Sequence, residues 1–307
     1  MMVDIRRGIT NPVGRRQIDL LKIFTMKIIS NVKSLRSHIN QTKLQKKLIG
    51  FVPTMGALHE GHAVLLTHSK RENNITVLSI FANPTQFGPK EDFRPYPRTR
   101  TQDVLLAKKL NVDIIFYPSV KEMYPTPYLT SINIEKITQN LCGRFRPGHF
   151  RGVATVVAKL LNIVQPDTLY LGQKDAQQCM VIQQMIRDLN FPTTVKIIPT
   201  VREPDGLALS SRNQYLTPKE HKEAAALYHS LRLAKKKIQE GTRKASKIIK
   251  FIKSCIAQKT SGKVQYVECV DADSLQPLKT LQGKILIALA VWFQKARLID
   301  NITVNIK

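Results

Sequence analysis

The chain has 307 residues, of which 48 are Lys or Arg and 22 are Asp or Glu, giving a formal net charge of +26. The length favours two domains, and an apolar content of 43% excludes a mainly disordered chain because it can supply a core. The longest apolar run, residues 285–293, is much shorter than the roughly 20 residues of a membrane-spanning helix, and the four cysteines have no CxxC spacing. We therefore expect no membrane contact, free thiols and a cytoplasmic location.

The first part of the chain alternates between strand-like and helix-like segments. Residues 1–25 are basic and lack the apolar segment of a secretory signal, so we predict a disordered N-terminal extension there. Continuous apolar runs, typical of strands buried on both faces, occur at Leu48–Val52, Ile75–Ala82, Val112–Tyr117, Thr168–Leu171 and Val195–Ile198. Helical segments are predicted between them at His62–Asn73, Thr101–Leu110, Val153–Val164 and Gln177–Asn190. The alternation predicts an α/β domain over residues 26–203 with a Rossmann-like, doubly wound parallel sheet.

Residues 204–307 are predicted to form a smaller α+β domain, because helical segments are followed there by strand-like ones. Thr217 as N-cap, Pro218 at the first helical position and Glu220 two residues further on are a helix-start signal. Two lysine-rich helices are expected over 218–240 and 243–258. Strands are expected at Val264–Val270, Ile285–Trp292 and Leu298–Val304.

The positive charge is concentrated outside the long middle segment. Residues 1–50 carry 11 basic and 2 acidic side chains, and residues 219–263 carry 13 and 3. Such a balance raises nucleic-acid binding as an alternative function. The second segment contains only Tyr228 and Phe251 as aromatic residues and no recognised binding motif. A solvated lysine surface is therefore favoured, with no specific nucleic acid as partner.

The first predicted strand leads directly into residues 53–62, which contain two histidines separated by three positions. A helix that begins here would present unpaired N–H groups to an anion, and Gly56 allows a ligand to approach the backbone. His59 and His62 share one helix face and can donate to phosphate oxygens. The His-Glu-x-x-His spacing of zinc helices is absent, and ordinary surface histidines remain the alternative. In this position the HxGH pattern resembles the signature of the nucleotidyltransferase superfamily, which includes the class I tRNA synthetases.

Further motifs follow in order along the chain and narrow the resemblance. They lie at residues 81–87, 96–99, 146–153, 172–178, 202–213 and 296–301. Together with residues 53–62 they resemble the pantothenate synthetase (pantoate–β-alanine ligase) family from about Met26 to Lys307. The resemblance implies condensation of (R)-pantoate with β-alanine by means of ATP and Mg²⁺, through a pantoyl adenylate, with release of AMP and pyrophosphate. It also implies a cytoplasmic homodimer. We expect the C-terminal domain to act as a lid, because the loop Ser210–Arg212 lies just past the domain boundary.

The resemblance assigns roles to individual residues. His62 is the expected general acid and His59 its phosphate-binding neighbour, while Gln86 and Gln178 are expected to bind pantoate and β-alanine. The other catalytic groups, which face the β- and γ-phosphates, are Lys174, Ser210, Ser211 and Arg212. The full set expected to bind ATP is Met55, Gly56, Ala57, Leu58, His59, Glu60, Gly61, His62, Gly172, Gln173, Lys174, Asp175, Val201, Leu209, Ser210, Ser211 and Arg212.

Several residues keep two interpretations at this point. Asp175 can accept hydrogen bonds from the ribose hydroxyls or cap the following helix. Arg144, Arg146 and Arg151 belong either to a solvated flap or to the substrate site. Asp103 stands where some family members have paired acidic residues near the metal, but its predecessor is Gln102. No protein ligand for Mg²⁺ is therefore assigned.

Another HxGH adenylyltransferase, acting on a nucleotide or on phosphopantetheine, is a third candidate function. The Gln86 and Gln178 pair and the segment 146–153 argue against it, because both match the pantoate–β-alanine ligase pattern.

Overall fold

A six-stranded parallel sheet forms the first part of the protein. The computed structural model describes residues 26–89, 91 and 93–306, so the predicted extension over residues 1–25 lies outside the described residues. The strands are β1 (Lys27–Ile29), β2 (Ile49–Thr54), β3 (Ile75–Ile80), β4 (Ile114–Phe116), β5 (Thr168–Gly172) and β6 (Thr194–Ile198). The helices are α1 (Val32–Leu44), α2 (Glu60–Glu72), α3 (Arg100–Lys109), α4 (Val120–Met123), α5 (Leu141–Phe145), α6 (His149–Val164) and α7 (Ala176–Asp188). The predicted doubly wound sheet is confirmed.

The strand order creates a crevice at the centre of the sheet. The order is β1-β4-β3-β2-β5-β6, with all pairs parallel. From β2 the chain continues to one side through β3 and β4, whereas β5 and β6 lie on the other side. Ligands of open α/β sheets bind beyond the carboxyl ends of the strands at such a reversal point. The loops after β2 and β5 meet there.

Apolar side chains cover both faces of the sheet. Neighbouring residues of one strand point to opposite faces, so Phe51 packs in one cluster with α1, α6 and α7 while Val52 packs in another with α2 and α3. The prediction that every strand is buried on both faces is wrong for β6, where exposed and partly buried residues alternate up to Ile198. On this edge strand Val195 and Ile197 pack against the cluster that contains α6 and α7, whereas Thr194 and Lys196 point to the opposite face and stay exposed.

Several element boundaries differ from the sequence predictions. The helix expected from Val153 begins at His149, because Gly148 with φ 80° ends the preceding turn and acts as its N-cap. The helix expected from His62 begins at Glu60. The prediction omitted β1, α1, α4 and α5, of which α1 buries only Leu35 and Ile39 and therefore has a weak apolar period.

The second part of the protein is a smaller α+β unit, as predicted. It consists of α8 (Pro218–Gln239), α9 (Ala245–Lys259), β7 (Lys263–Asp271), β8 (Lys284–Trp292) and β9 (Arg297–Asn305), with the antiparallel order β7-β8-β9. One face of this sheet packs on α8 and α9, and residues of the other face cluster with Leu141 of α5 and Ala176 of α7. The boundary at residue 203 stays a prediction. All four cysteines are unpaired, and no described helix is both long and apolar enough to cross a membrane.

The predicted start of α8 is confirmed by two reciprocal hydrogen bonds between Thr217 and Glu220. Thr217 Oγ1 accepts from the Glu220 N–H at 3.2 Å, and Glu220 Oε2 accepts from the Thr217 N–H at 2.9 Å. Thr217→Ala removes one of these bonds and should lower the free energy of unfolding by about 1 kcal/mol. Urea unfolding of this variant and of Thr130→Ala, a change at an exposed loop position, provides the comparison. Equal stability of the two variants would contradict the capping role.

Candidate active site

The loop after β2 is shaped by a buried carboxylate from α3. Gly56 and Ala57 have φ values of 89° and 51°, in the left-handed region that favours glycine. Asp103 is 2% exposed and accepts from the N–H groups of Ala57 at 3.1 Å and Leu58 at 2.8 Å. The hydroxyl of Thr99 also donates to it at 3.1 Å. Asp103 therefore holds the loop in place, and its oxygens are already engaged by protein donors.

The two histidines cap α2, and a backbone N–H group fixes the tautomer of each ring. His59 Nδ1 accepts from the Gly61 N–H at 3.1 Å, and His62 Nδ1 accepts from the His59 N–H at 3.2 Å. The ring centroids are 4.1 Å apart. Because Nδ1 is the acceptor in both rings, each neutral imidazole carries its proton on Nε2. The pair thus offers two N–H donors.

Burial keeps both rings neutral at physiological pH. Loss of contact with water, reinforced by the nearby Lys174 ammonium, lowers the pKa of His59 to about 4. Desolvation, followed by the effects of His59 and Lys174, lowers the pKa of His62 to about 3. His149 shows the same behaviour, because burial and the Arg146 guanidinium lower its pKa to about 4. At pH 7 the two capping histidines are hydrogen-bond donors rather than cations.

These pKa values predict how stability depends on pH. Folding lowers the three pKa values below the 6.5 of an unperturbed imidazole, so the unfolded chain takes up protons first as pH falls. The stability contributed by the neutral rings is complete above pH 6.5 and is lost as pH falls, down to about 4 for His59 and His149 and about 3 for His62. Urea unfolding at pH 7, 6 and 5 should show a falling free energy of unfolding.

Two variants isolate this histidine effect from that of other titrating groups. His149→Gln should flatten the pH dependence, because it removes one of the three buried rings. His229→Gln, at an exposed position on α8, should leave the dependence unchanged. The same pH slope in His149→Gln as in the unmodified protein would contradict the assignment.

The loop after β5 forms a short 3-10 turn, Gln173–Asp175, that brings a lysine to the crevice. Lys174 Nζ lies 3.9 Å from an oxygen of Asp175. A Cβ atom built on Gly172 would meet no atom within 4 Å, so the backbone is open to a ligand at this position. The side chain of Gln173 instead reaches Thr303 Oγ1 in β9 at 3.4 Å.

The two glutamines differ in how firmly they are held. Gln86 is 8% exposed, its Oε1 accepts from Asn83 Nδ2 at 3.0 Å and its Nε2 donates to the sulfur of Met55 at 3.1 Å. Gln178 lies in the first turn of α7 and faces the cavities beside it. Its neighbour Gln177 also lines the largest cavity, but its amide is engaged by the protein, because Oε1 accepts from the Cys142 N–H at 2.9 Å and Nε2 donates to two main-chain carbonyls. Gln178 is therefore the more adaptable of the two predicted substrate ligands.

An arginine and a histidine from residues 146–149 contact the main-chain carbonyl of Gln86. Arg146 forms a bidentate pair with Glu91, with both N···O distances 2.6 Å. It also lies 3.0 Å from Nε2 of His149, whose Nδ1 donates to the Gln86 carbonyl at 2.8 Å. Arg146 is largely buried and lines two of the cavities at the crevice, so the structure favours a place in the site over a solvated flap. Arg144 pairs with Glu268 of β7.

The loop between β6 and α8 supplies the remaining predicted groups. Ser210 Oγ accepts from the Arg212 N–H at 3.3 Å and so caps a 3-10 turn, Ser211–Tyr215. Ser211 Oγ lies 3.2 Å from the hydroxyl of Tyr96, and the guanidinium of Arg212 lies 5.8 Å from the centre of the same ring. Tyr96 thus connects the segment 96–99 to this loop.

Most of the predicted site residues line three adjoining cavities. All three are lined by Lys174, Asp175 and Gln178. One of about 190 Å³ also contains Met55, His59, His62, Gln86, Ser210, Ser211 and Arg212. One of about 140 Å³ contains His59, Gly61, His62, Gly172, Val201 and Leu209. The largest, about 560 Å³, extends between α5 and the β7-β8-β9 sheet.

Five predicted ATP residues do not line these cavities. They are Gly56, Ala57, Leu58, Glu60 and Gln173. Ala57 and Leu58 direct their N–H groups to Asp103, so their backbone shapes the loop. Asp300 and Asn301, for which no role was predicted, contact the loops after β6 and β5. Both belong to the motif at residues 296–301, which only the three-dimensional structure brings to the crevice.

Known proteins share this architecture and sequence. The family described as pantoate-beta-alanine ligase matches residues 27–303. A protein named pantothenate synthetase from Caldicellulosiruptor saccharolyticus is 50% identical over 281 residues, 92% of this chain and 100% of the relative. The crystal structure of pantothenate synthetase from Thermus thermophilus is 41% identical with a TM-score of 0.85, covering 90% of this chain and 99% of that one. A pantoate-beta-alanine ligase from Francisella tularensis, complexed with beta-gamma ATP and beta-alanine, is 38% identical with a TM-score of 0.74, covering 91% and 97%.

Proposed function

The chain belongs to the pantoate–β-alanine ligase family, and we propose that it forms pantothenate in two steps, with ATP as the activating substrate and a pantoyl adenylate as the intermediate. The observation that carries this proposal is the cavity at the reversal point of the sheet. Its walls combine neutral histidine donors, a lysine and two glutamines, chiefly His62, Lys174 and Gln178. Such a site can bind a polyanion beside a small hydroxy acid. A carboxylate of the same cavity, Asp175, lies 3.9 Å from the Lys174 ammonium.

In the first step, pantoate is activated by adenylation. Its carboxylate oxygen attacks the α-phosphorus of ATP, a new O–P bond forms, and the bond to the β-phosphate breaks with pyrophosphate taking the electron pair. Gln86 and Gln178 offer amide donors and acceptors to pantoate. The Nε2–H groups of His59 and His62 and the ammonium of Lys174 stabilise the charge that develops on the phosphate oxygens.

In the second step, β-alanine replaces the nucleotide. Its neutral amine attacks the acyl carbon of the adenylate, the C–O bond to AMP breaks, and the nitrogen loses a proton as the amide forms. In this step the two glutamines orient the acyl group for attack. Orientation alone supplies much of the rate enhancement in such transfers. General acid catalysis by His62 stays a prediction, because its pKa near 3 requires bound phosphates to raise it first.

Mg²⁺ is proposed to arrive with ATP. Among the described carboxylates at the crevice, Asp103 is satisfied by backbone N–H groups, and Glu91 and Asp300 each form a bidentate pair with an arginine. Asp175 remains partly exposed, at 47% of its side chain. This set of carboxylates fits an ion that is held mainly by phosphate oxygens and water, with Asp175 as the available protein oxygen. When bound, the ion would neutralise phosphate charge.

Omitting β-alanine tests the adenylation step directly. With ATP, Mg²⁺ and pantoate alone, we expect about one pyrophosphate per active site and exchange of labelled pyrophosphate into ATP. Replacement of pantoate by nucleotides or phosphopantetheine should give no exchange, which separates this function from that of other HxGH adenylyltransferases. Absence of exchange with pantoate would refute the adenylate. The homodimer and the cytoplasmic location stay predictions.

A further inference from the structure

A residue of the C-terminal unit holds the turn that carries Lys174. Asn301 lies in β9 and is 6% exposed. Its side-chain Nδ2 donates to the main-chain carbonyls of Gln173 at 3.1 Å and of Lys174 at 2.9 Å. These two carbonyls belong to the 3-10 turn Gln173–Asp175. One amide group thus satisfies two successive peptide units beside the proposed phosphate-binding lysine.

The Asn301 side chain forms its hydrogen bonds through the amide nitrogen Nδ2. Its Oδ1 is buried and has no hydrogen-bond partner among the described residues. A buried acceptor without a partner is unfavourable. The favourable contribution of this side chain therefore comes from its nitrogen and not from its oxygen. Both N–H bonds of the amide group are directed at the turn. Asparagine is the smallest side chain that can supply two such donors from one nitrogen.

The neighbouring residue fixes Asn301 in its place. Asp300 is 3% exposed and forms a bidentate pair with Arg202 at 2.7 and 2.8 Å. It also accepts from the Asn301 N–H at 2.8 Å. The Arg202 guanidinium lies 3.5 Å from the centre of the Tyr228 ring and donates to the Gly206 carbonyl at 3.1 Å. A rigid cluster therefore connects β9 to the loop after β6 and, through Asn301, to the turn after β5.

We propose that Asn301 is a positioning residue for adenylation, which acts by holding the backbone of Lys174 so that its ammonium meets the ATP phosphates. This inference rests on the proposed function, in which Lys174 contacts those phosphates. The contact is made from the C-terminal unit, so Lys174 is in place only while β9 is docked on the turn. Asn301 itself need not touch any substrate.

Asn301→Asp is the sharpest variant, because it keeps the shape of the side chain. It places an oxygen against two carbonyl oxygens, so the turn is repelled instead of held. A displacement of about 1 Å at a reacting group can cost about 100-fold in rate, and we expect a loss of that size in kcat with little change in KM for pantoate. Asn305→Asp makes the same charge change at an exposed position of the same strand and should behave like the unmodified enzyme.

A double variant separates positioning from a merely structural role. If Asn301 acts through Lys174, then Asn301→Asp combined with Lys174→Ala should be no slower than Lys174→Ala alone. Multiplication of the two losses would overturn the inference. Asn301→Ala, which removes the donors without adding charge, provides a second test if the aspartate variant does not fold. If neither variant folds, Asn301 is a determinant of the fold and the inference fails.

The outcomes distinguish this inference from the proposed function. An unmodified enzyme that catalyses no pyrophosphate exchange with pantoate would overturn the proposed function, and the inference with it. An active enzyme in which Asn301→Asp is as fast as Asn305→Asp would overturn the inference alone. The expected result is an active enzyme, an unaffected Asn305→Asp variant and a slow, folded Asn301→Asp variant whose defect is absent when Lys174 is already replaced.

Discussion

Replacing His62 by asparagine should lower kcat by about 1000-fold while the protein stays folded, because the variant loses a donor to the developing phosphate charge. Asparagine can still place an oxygen near the position of Nδ1, where it accepts from the His59 N–H as His62 does at 3.2 Å. It cannot reach the position of Nε2. The melting temperature should therefore remain close to that of the unmodified protein, and the loss should appear in turnover with pantoate, β-alanine and Mg·ATP.

Glutamine at position 62 distinguishes the two roles open to this histidine. A neutral ring with its proton on Nε2 acts as a hydrogen-bond donor, and the glutamine amide can offer a donor near the same point. His62→Gln should then recover part of the activity that His62→Asn loses. A general acid must release its proton, which an amide does not do, so equal activity of the two variants would favour that role. His229→Asn, at an exposed site of α8, is the control and should keep full activity.

Replacing Lys174 by alanine should also reduce kcat by about 100- to 1000-fold, because the lysine supplies a mobile positive charge to the phosphates. The same change has a second effect that requires no substrate. The Lys174 ammonium contributes to the lowered pKa of both His59 and His62. In Lys174→Ala both pKa values should rise, and NMR titration of the imidazole C–H signals measures them.

The control for this variant is Lys247→Ala, which removes an equal charge from an exposed position on α9. It should change neither turnover nor the two histidine pKa values. If Lys174→Ala retains full turnover, the lysine does not serve the phosphates. If turnover falls while the histidine pKa values stay unchanged, the electrostatic link between Lys174 and the histidines is wrong.

The parts of the site that the sequence predicted are those formed by short contiguous segments. A strand, a glycine-containing loop and a helix start place His59 and His62 together by local geometry alone. The same holds for the lysine after β5, because a parallel sheet brings the carboxyl ends of its strands to one edge. The apolar runs and the Thr217 helix start were sufficient to predict most elements of both units.

The parts that were missed depend on contacts between distant segments. Asn301 meets the turn at Gln173 and Lys174 across more than a hundred residues, and its motif has no local property that reveals a partner. Glu91 and Arg146 are likewise paired only by folding. Asp103 matches a position near the metal in some family members, yet its oxygens are occupied by loop N–H groups. The short helix α5 and the amphipathic α1 bury few residues and so lack a clear period.

The most direct measurement of the central claim is an assay of AMP and pantothenate with purified protein and all combinations of pantoate, β-alanine and Mg·ATP. We predict equal amounts of AMP and pantothenate when all three substrates are present, and no pantothenate when any one is omitted. Formation of ADP in place of AMP, or no product with the complete mixture, would contradict the account.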